Sequence, residues 1–347
     1  MRKKSIYIIL LILLIVLAGG VFLTTTNSSL DRRETGFAIA DTSTVTKIFI
    51  ADKQNQTVTL TKKEGYWDLN GKYRAHEDNV RMLLKTMQSL YVWEPVSNAS
   101  RNTVIKLLAA GGTKVEIYQM THRIRLGGVK LFPVEKRVRT YYVGTHTQDN
   151  LGTYMLMEGA ENPYIVHMPG FRGFVSSRFH AREIDWREHV IFTKRLPQIK
   201  SLEIEIPREP EESYRIENIN DRDFTVIALQ TGETINNINQ EKVLDLLTSF
   251  EKISFEAFIT HFSTREVDSI MAQEPYMRIV LTGKKGDQVA LKTYRRPALD
   301  GQTEFIGEEI PYDIDRMYAV IEGQDDLLLI QYFVFDKITR RLSYLTK

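Results

Sequence analysis

The sequence predicts an α+β protein: one N-terminal transmembrane helix, then two tandem copies of a mainly antiparallel sheet covered by a helix pair. Three observations predict it. Ile6 to Leu23, "IYIILLILLIVLAGGVFL", is an 18-residue run without a charge. Short runs downstream alternate apolar and polar residues, the period of half-buried strands. Finally, "DNVRMLLKTMQSLYVWEPV" (78–96) returns as "QEKVLDLLTSFEKISFEAFI" (240–259), with the same apolar positions and almost none of the same letters.

The elements follow in order. As a helix rising about 1.5 Å per residue, the apolar run covers roughly 27 Å, close to the hydrocarbon thickness of a bilayer. Arg2, Lys3 and Lys4 precede it and favour a cytoplasmic N-terminus. The run exceeds the ~7–15 apolar residues of a cleaved signal, and no A-x-A site follows it, so an uncleaved anchor is expected. Residues 6–23 would then contact membrane lipid. The expected location is the inner (cytoplasmic) membrane, single-pass, with the C-terminal domain outside the cytoplasm. Residues 1–26 form the tip and anchor, and the polar stretch 27–45 reads as a spacer.

The first copy, 46–196, opens with "KIFIA" and "QTVTLTKKEGYWDLNG", where Val58 and Leu60, then Trp67 and Leu69, alternate with polar residues. Lys63-Glu64-Gly65 and Asn70-Gly71 supply turns. A helix follows with Val80, Leu83, Leu84, Met87 and Leu90 on one face and Glu77 and Asp78 at its start. A second helix begins with Ser100 as N-cap and stops at Gly111-Gly112. Strands resume at "KVEIYQ", "VRTYYVG", "TYMLME" and "PYIVHM".

The second copy, 197–347, repeats this plan with "KSLEIEI", "SYRIEN" and "FTVIAL". Val243, Leu246, Leu247, Phe250 and Ile253 answer the first helix. Ser263, Val267, Ile270 and Met271 answer Ser100, Val104, Leu107 and Leu108, all at a constant offset of 163 residues. Ser263-Thr264-Arg265-Glu266 spells a capping box. A fixed register through two helices and their loop is the mark of a tandem duplication.

Composition narrows the function. The 347 residues hold 46 Lys+Arg against 44 Asp+Glu, and 43 against 44 without the N-terminal three. A body so balanced lacks the basic surplus of a nucleic-acid binder. With no cysteine, disulfides, thiol nucleophiles, thiolate zinc sites and a lipid-modified cysteine are all excluded.

The anchor "RKKSIYIILLILLIV", the segment "TVTKIFIADKQNQTVTLTKKEGYWDLNGKY", the stretch "TYYVGTHTQDNLGTYMLMEG", and "PYIVHMPGFRGFVSSRF" running into "DWREHVIF" resemble an uncharacterised family of bacterial membrane-anchored proteins, catalogued as a domain of unknown function. The resemblance covers nearly the whole chain. Relatives are often encoded near ABC-type export or gliding-motility accessory components. It therefore implies an envelope role beside such a complex and carries over no catalytic residue. The long basic segment before "RTYYVG" departs from the family pattern.

Four stretches hold groups that could do chemistry. "HAREIDWREH" pairs His180 with Glu183 and Asp185 with His189 at helical spacing, each pair able to offer metal ligands. On one helix, however, the pairs would point about 140° apart, which favours a charged connecting segment. "VGTHTQDNLGTY" (143–154) is either a ligand-lining loop or an ordinary wide hairpin turn. Glu203, Glu205, Glu211 and Glu212 fall on strands and a Pro-bounded turn, as solvated faces would. Finally, "MTHRIRLGGVKLFPVEKRVR" (120–139) holds Arg123, Arg125, Lys130, Lys136, Arg137, Arg139 and His122 against one acid, Glu135, with Ile124, Leu126, Val129, Leu131 and Phe132 between them. The second copy has only "GKKGDQ" there. A protruding hairpin that docks on anionic headgroups or an acidic partner is one reading; an extension folded back on the sheet is the other.

No G-x-S-x-G, H-E-x-x-H, P-loop or dinucleotide fingerprint occurs, so neither a catalytic site nor a cofactor is expected. The expected function is that of a membrane-anchored accessory protein binding other components of an envelope or transport complex, with interaction residues Arg123, Arg125, Lys130, Phe132, Lys136, Arg137 and Arg139. The alternative is a ligand-binding or glycan-acting ectodomain using a cleft between the copies.

Overall fold

The computed structural model describes residues 13–14, 32–126, 129–299 and 310–346. Its chain divides into two units, the first ending at Glu188 and the second beginning at His189.

In the first unit the strands are β1 (Val45–Ala51), β2 (Thr57–Lys63), β3 (Tyr66–Leu69), β4 (Tyr73–Arg74), β5 (Tyr91–Pro95), β6 (Thr113–Leu126), β7 (Val129–His146), β8 (Thr153–Met157) and β9 (Tyr164–His167). They form one antiparallel sheet in the order β4-β3-β2-β1-β6-β7-β8-β9-β5. The β3–β4 turn needs two left-handed residues in succession. Asn70 (φ 56°) and Gly71 (φ 71°) are the residue types that adopt that region at low cost.

Helix α1 (Glu77–Ser89) follows β4, and α2 (Asn98–Gly111) follows β5. Val80, Leu83 and Met87 of α1 are buried against Ile48, Ile50, Leu60, Ile117 and Tyr141. Val104 and Leu108 of α2 pack instead against Tyr142, Tyr154, Leu156 and Ile165. Successive strand residues point to opposite faces of a sheet, so Tyr141 and Tyr142 assign the two helices to opposite faces.

The second unit has β10 (Val190–Phe192), β11 (Ile199–Glu205), β12 (Tyr214–Asn218), β13 (Phe224–Ala228), β14 (Ile253–Ser254), β15 (Ala257–Phe258), β16 (Met277–Gly283), β17 (Gln288–Pro297), β18 (Tyr312–Ile321) and β19 (Leu328–Gln331). Its main sheet runs β13-β12-β11-β16-β17-β18-β19-β15, with β10 and β14 paired separately. Helix α3 (Gln240–Thr248) buries Val243, Leu246 and Leu247 in the core with Leu202, Leu281 and Leu291. Helix α4 (Thr264–Met271) sets Val267, Ile270 and Met271 against Tyr294, Tyr318 and Val320 on the other face. Apart from the short β4, the strand order repeats that of the first unit. So does a bulge: register shifts between Val45 and Lys47 where β1 meets β6, and between Ile199 and Ser201 where β11 meets β16.

These findings correct the expected fold class. Both units are mostly antiparallel β with few helices, and among the described residues no helix pair covers either sheet. Apolar spacing identifies a helix but not the sheet face it packs on. The first turn of α2 also starts earlier than expected. Ser97, not Ser100, is its N-cap, accepting a hydrogen bond from the Ser100 N–H, whereas Ser263 does form its capping box with Glu266.

The stretch read as a spacer contributes Phe37 and Ile39 to the core, at 1% and 3% exposure. The membrane expectation is corrected as well. Among the described residues no helix is long and apolar enough to cross a membrane, and the expected anchor, 6–23, lies outside them except for Leu13 and Leu14. The inference of a single-pass span rested on converting an apolar run into one continuous helix, a step that residue counting assumes.

Candidate functional site

The basic stretch becomes a two-stranded ribbon. β1 pairs with β6 only as far as Gln119, and β8 pairs with β7 only from Tyr141. Between them, Met120 to Arg139, the ribbon pairs only with itself, ending at Leu126 opposite Val129. Among the described residues both its edges therefore lack strand neighbours. Arg125 lies opposite Lys130, and Phe132, between the paired residues Leu131 and Pro133, takes a left-handed φ of 56°.

Leu131 and Phe132 are exposed, Phe132 at 63%. Lys136 is exposed too. Arg123 lies in β6 between His122 and Ile124.

Two of the expected interaction residues are occupied within the unit. Arg137 forms ion pairs with Glu116 at 3.2 Å and Glu158 at 3.4 Å. Arg139 donates to the carbonyls of Gly36 at 2.7 Å and Val138 at 2.8 Å. Glu116 is itself 8% exposed and also accepts from Lys114 and from the Tyr118 hydroxyl. Burial alone would raise its pKa, but these donors and the Arg137 charge outweigh it and hold the carboxyl below the ordinary range.

Of the four metal candidates only His180 and Asp185 come together, with the His180 Nδ1 3.6 Å from the carboxylate. Only Glu183–Trp186 is helical, a single 3-10 turn, so helical spacing does not apply to the flanking residues. Arg182 grips Asp185 through two 2.7 Å bonds. Glu183 accepts from Asn70. The His180 ring lies 5.0 Å from that of Trp186, and burial lowers its pKa. His189 belongs to the second unit and stacks on Phe255 at 4.5 Å. Among the described residues no group of three or more His, Cys, Asp or Glu is placed to hold a metal ion.

The 143–154 loop is closed by its own bonds. Thr147 Oγ1 accepts from the Gly152 N–H at 3.0 Å, and Asp149 accepts from the Leu151 N–H at 3.0 Å. The Thr147 and Asp149 side chains are thus spent on the turn.

Two features carry no local signal in the sequence. On the edge strand β5, Tyr91 and Trp93 are exposed and flank His167, with ring centroids 5.7 and 5.2 Å from it. In the second unit, the outer face of β12, β11, β16 and β17 forms a cavity of about 560 Å³ lined by Lys200, Ser201, Glu203, Arg215, Glu217 and Arg278, among others. Arg215 pairs with Glu203 at 2.7 Å, and Arg278 with Glu205 at 2.8 Å and Glu322 at 2.7 Å. Burial and a hydrogen bond shared with Glu203 raise the Glu205 pKa against the pull of Arg278.

A family model described as "Domain of unknown function (DUF4340)" matches residues 67–276. That is more than half of the chain, beginning in β3 and ending just before β16. The chain belongs to this family. The matched span crosses from the first unit into the second, so the family pattern includes parts of both. Neither the comparison with curated proteins nor that with solved structures found a match.

Proposed function

We propose that this protein is a non-catalytic binding component of a larger assembly, and that the β6–β7 ribbon of the first unit is its docking element for an acidic protein partner. The observation that carries this reading is the ribbon itself. An isolated two-stranded ribbon is marginally stable in water, and two unpaired edges invite pairing with another chain. Here the ribbon also exposes Leu131 and Phe132. Of the ribbon's described cations, Lys136 is exposed, whereas Arg137 and Arg139 hold the ribbon's base; Arg123, Arg125 and Lys130 add positive charge along its sequence.

The test places a photo-crosslinking amino acid at Phe132 and changes Arg123, Arg125, Lys130 and Lys136 to Ser together. The expected result is one crosslinked acidic protein, its yield falling with added salt and lost in the quadruple variant. Exposed charges are screened over about 10 Å at 0.1 M salt, which sets the salt range. Crosslinks indifferent to both salt and charge, or binding to phosphatidylglycerol vesicles in place of a protein, would sink the reading.

A further inference from the structure

The two bulges place comparable residues on the outer faces of the two sheets, but in different surroundings. In the first unit the bulged residue is Thr46 and the next is Lys47, which pairs across to Thr61 on one side and Tyr118 on the other. In the second unit the same positions are Lys200 and Ser201, with Ser201 paired to Glu217 and Thr282. Each unit therefore presents one hydroxyl and one ammonium at its bulge, in swapped order.

In the first unit this pair is satisfied. Thr46 donates to Glu135 at 2.6 Å and Lys47 at 3.1 Å, and the Lys47 ammonium sits 4.0 Å above the Tyr118 ring. That carboxylate comes from the long ribbon. The second unit has a short turn between β16 and β17, and Thr282 stands where Tyr118 does. The space is left as the cavity of about 560 Å³, within the range of ~300–1,000 Å³ typical of small-ligand sites.

The charges around the cavity make the occupant specific. Arg215 and Arg278 are engaged by Glu203, Glu205 and Glu322. Lys200 and Glu217 line the same cavity, yet among the described residues neither forms an ion pair or a side-chain hydrogen bond. Glu217 is half-buried, and the position it takes is the neutral Thr61 in the first unit. A plain carboxylate seated like Glu135 would meet Lys200 but be repelled by Glu217.

We propose that this face of the second unit binds a ligand carrying a carboxylate and a neighbouring ammonium. Lys200 and Ser201 take the carboxylate, and Glu217 takes the ammonium. The source is either a free amino-acid zwitterion or a peptide strand with acidic and basic side chains two residues apart, which share a face. This inference stands apart from the ribbon and does not depend on it.

The full chain, labelled with 15N, is titrated with β-alanine and with the peptide Ac-Ala-Glu-Ala-Lys-Ala-NH2, and separately with acetate and methylammonium as half-ligands. Amides of Ser201, Glu217 and Thr282 should shift with β-alanine or the peptide, the responsive probe naming the source. Each half-ligand should bind at least about tenfold more weakly, since one charge-assisted contact is worth roughly that factor. Lys200→Met and Glu217→Gln should each lose about tenfold on the same grounds, with the rest of the spectrum unchanged. Thr282→Tyr, supplying the ring that Tyr118 provides in the first unit, should abolish binding by filling the space. Absence of shifts with both two-charge probes, half-ligands as strong as the whole, or variants that bind like the parent would each overturn the proposal.

Discussion

The hydroxyl of Thr46, the bulged residue of β1, donates a 2.6 Å hydrogen bond to the carboxylate of Glu135 on β7. With the Lys47 bond to the same carboxylate, it fastens the base of the ribbon to the sheet. Glu135 is 39% exposed at its side chain, so the bonds are partly screened. Glu135→Ala should lower stability by only about 0.5–1 kcal/mol, while amide exchange over 131–139 quickens relative to the sheet. Unchanged exchange would mean that backbone pairing alone holds the ribbon.

Gly144 lies where α2 meets the sheet. A Cβ there would come within 2.8 Å of Leu108 Cδ2 and 3.1 Å of the Tyr154 carbonyl oxygen. Gly144→Ala should cost about 1–3 kcal/mol by overpacking. Combined with Leu108→Ala, the double variant should be less destabilised than the sum, because the cavity accepts the methyl. Urea unfolding of the four proteins tests this, and strict additivity would refute the contact.

Tyr141 is fully buried between Phe37 and Phe179, and among the described residues its hydroxyl has no hydrogen-bond partner. Burial pushes its phenol pKa up. Removing an unsatisfied buried hydroxyl relieves a desolvation cost of about 1–3 kcal/mol. Tyr141→Phe should therefore leave the melting temperature unchanged or higher. A clear loss of stability would reveal a partner for the hydroxyl, such as an ordered water.

Glu116 sets an acid limit on the first unit. Its folded pKa lies below the unfolded value of about 4.3. The unfolded chain thus binds more protons in that interval, and stability falls as pH drops below about 4.3 toward the folded pKa. Its contribution is fully present above that range. In Glu116→Gln the chemical midpoint measured between neutral and acid pH should decline less steeply than in the parent. Parallel profiles would show that Glu116 is not the group responsible.

Much of the local structure is legible in the sequence because it depends on neighbours along the chain. The apolar positions Val80, Leu83 and Met87, and Val243, Leu246 and Leu247, are buried, because a 3.6-residue period commits one side of a helix to a core. The capping box at Ser263 and the turn at Asn70-Gly71 follow from the same local chemistry.

The candidate site was legible only in part. The run of basic residues from Arg123 to Arg139 marks the ribbon as unusual, but composition cannot say that Arg137 is spent on Glu116 and Glu158 while Lys136 remains exposed. Those partners are more than twenty residues away or on another strand. Similarly, Lys200, Glu217 and Thr282 share a cavity only because β12, β11 and β16 lie side by side.

By itself, then, the sequence determined local signals such as the buried stripes of α1 and α3, the Asn70-Gly71 turn and the Ser263 capping box, since propensity and periodicity act over a few residues. Tertiary structure alone decided that α1 and α2 take opposite faces of one sheet, as α3 and α4 do in the second unit. The reason is that a helix stripe specifies only that it must be covered. Which sheet face covers it is fixed by strand order and by the side to which Tyr141 or Tyr142 points, relations between residues distant in the chain.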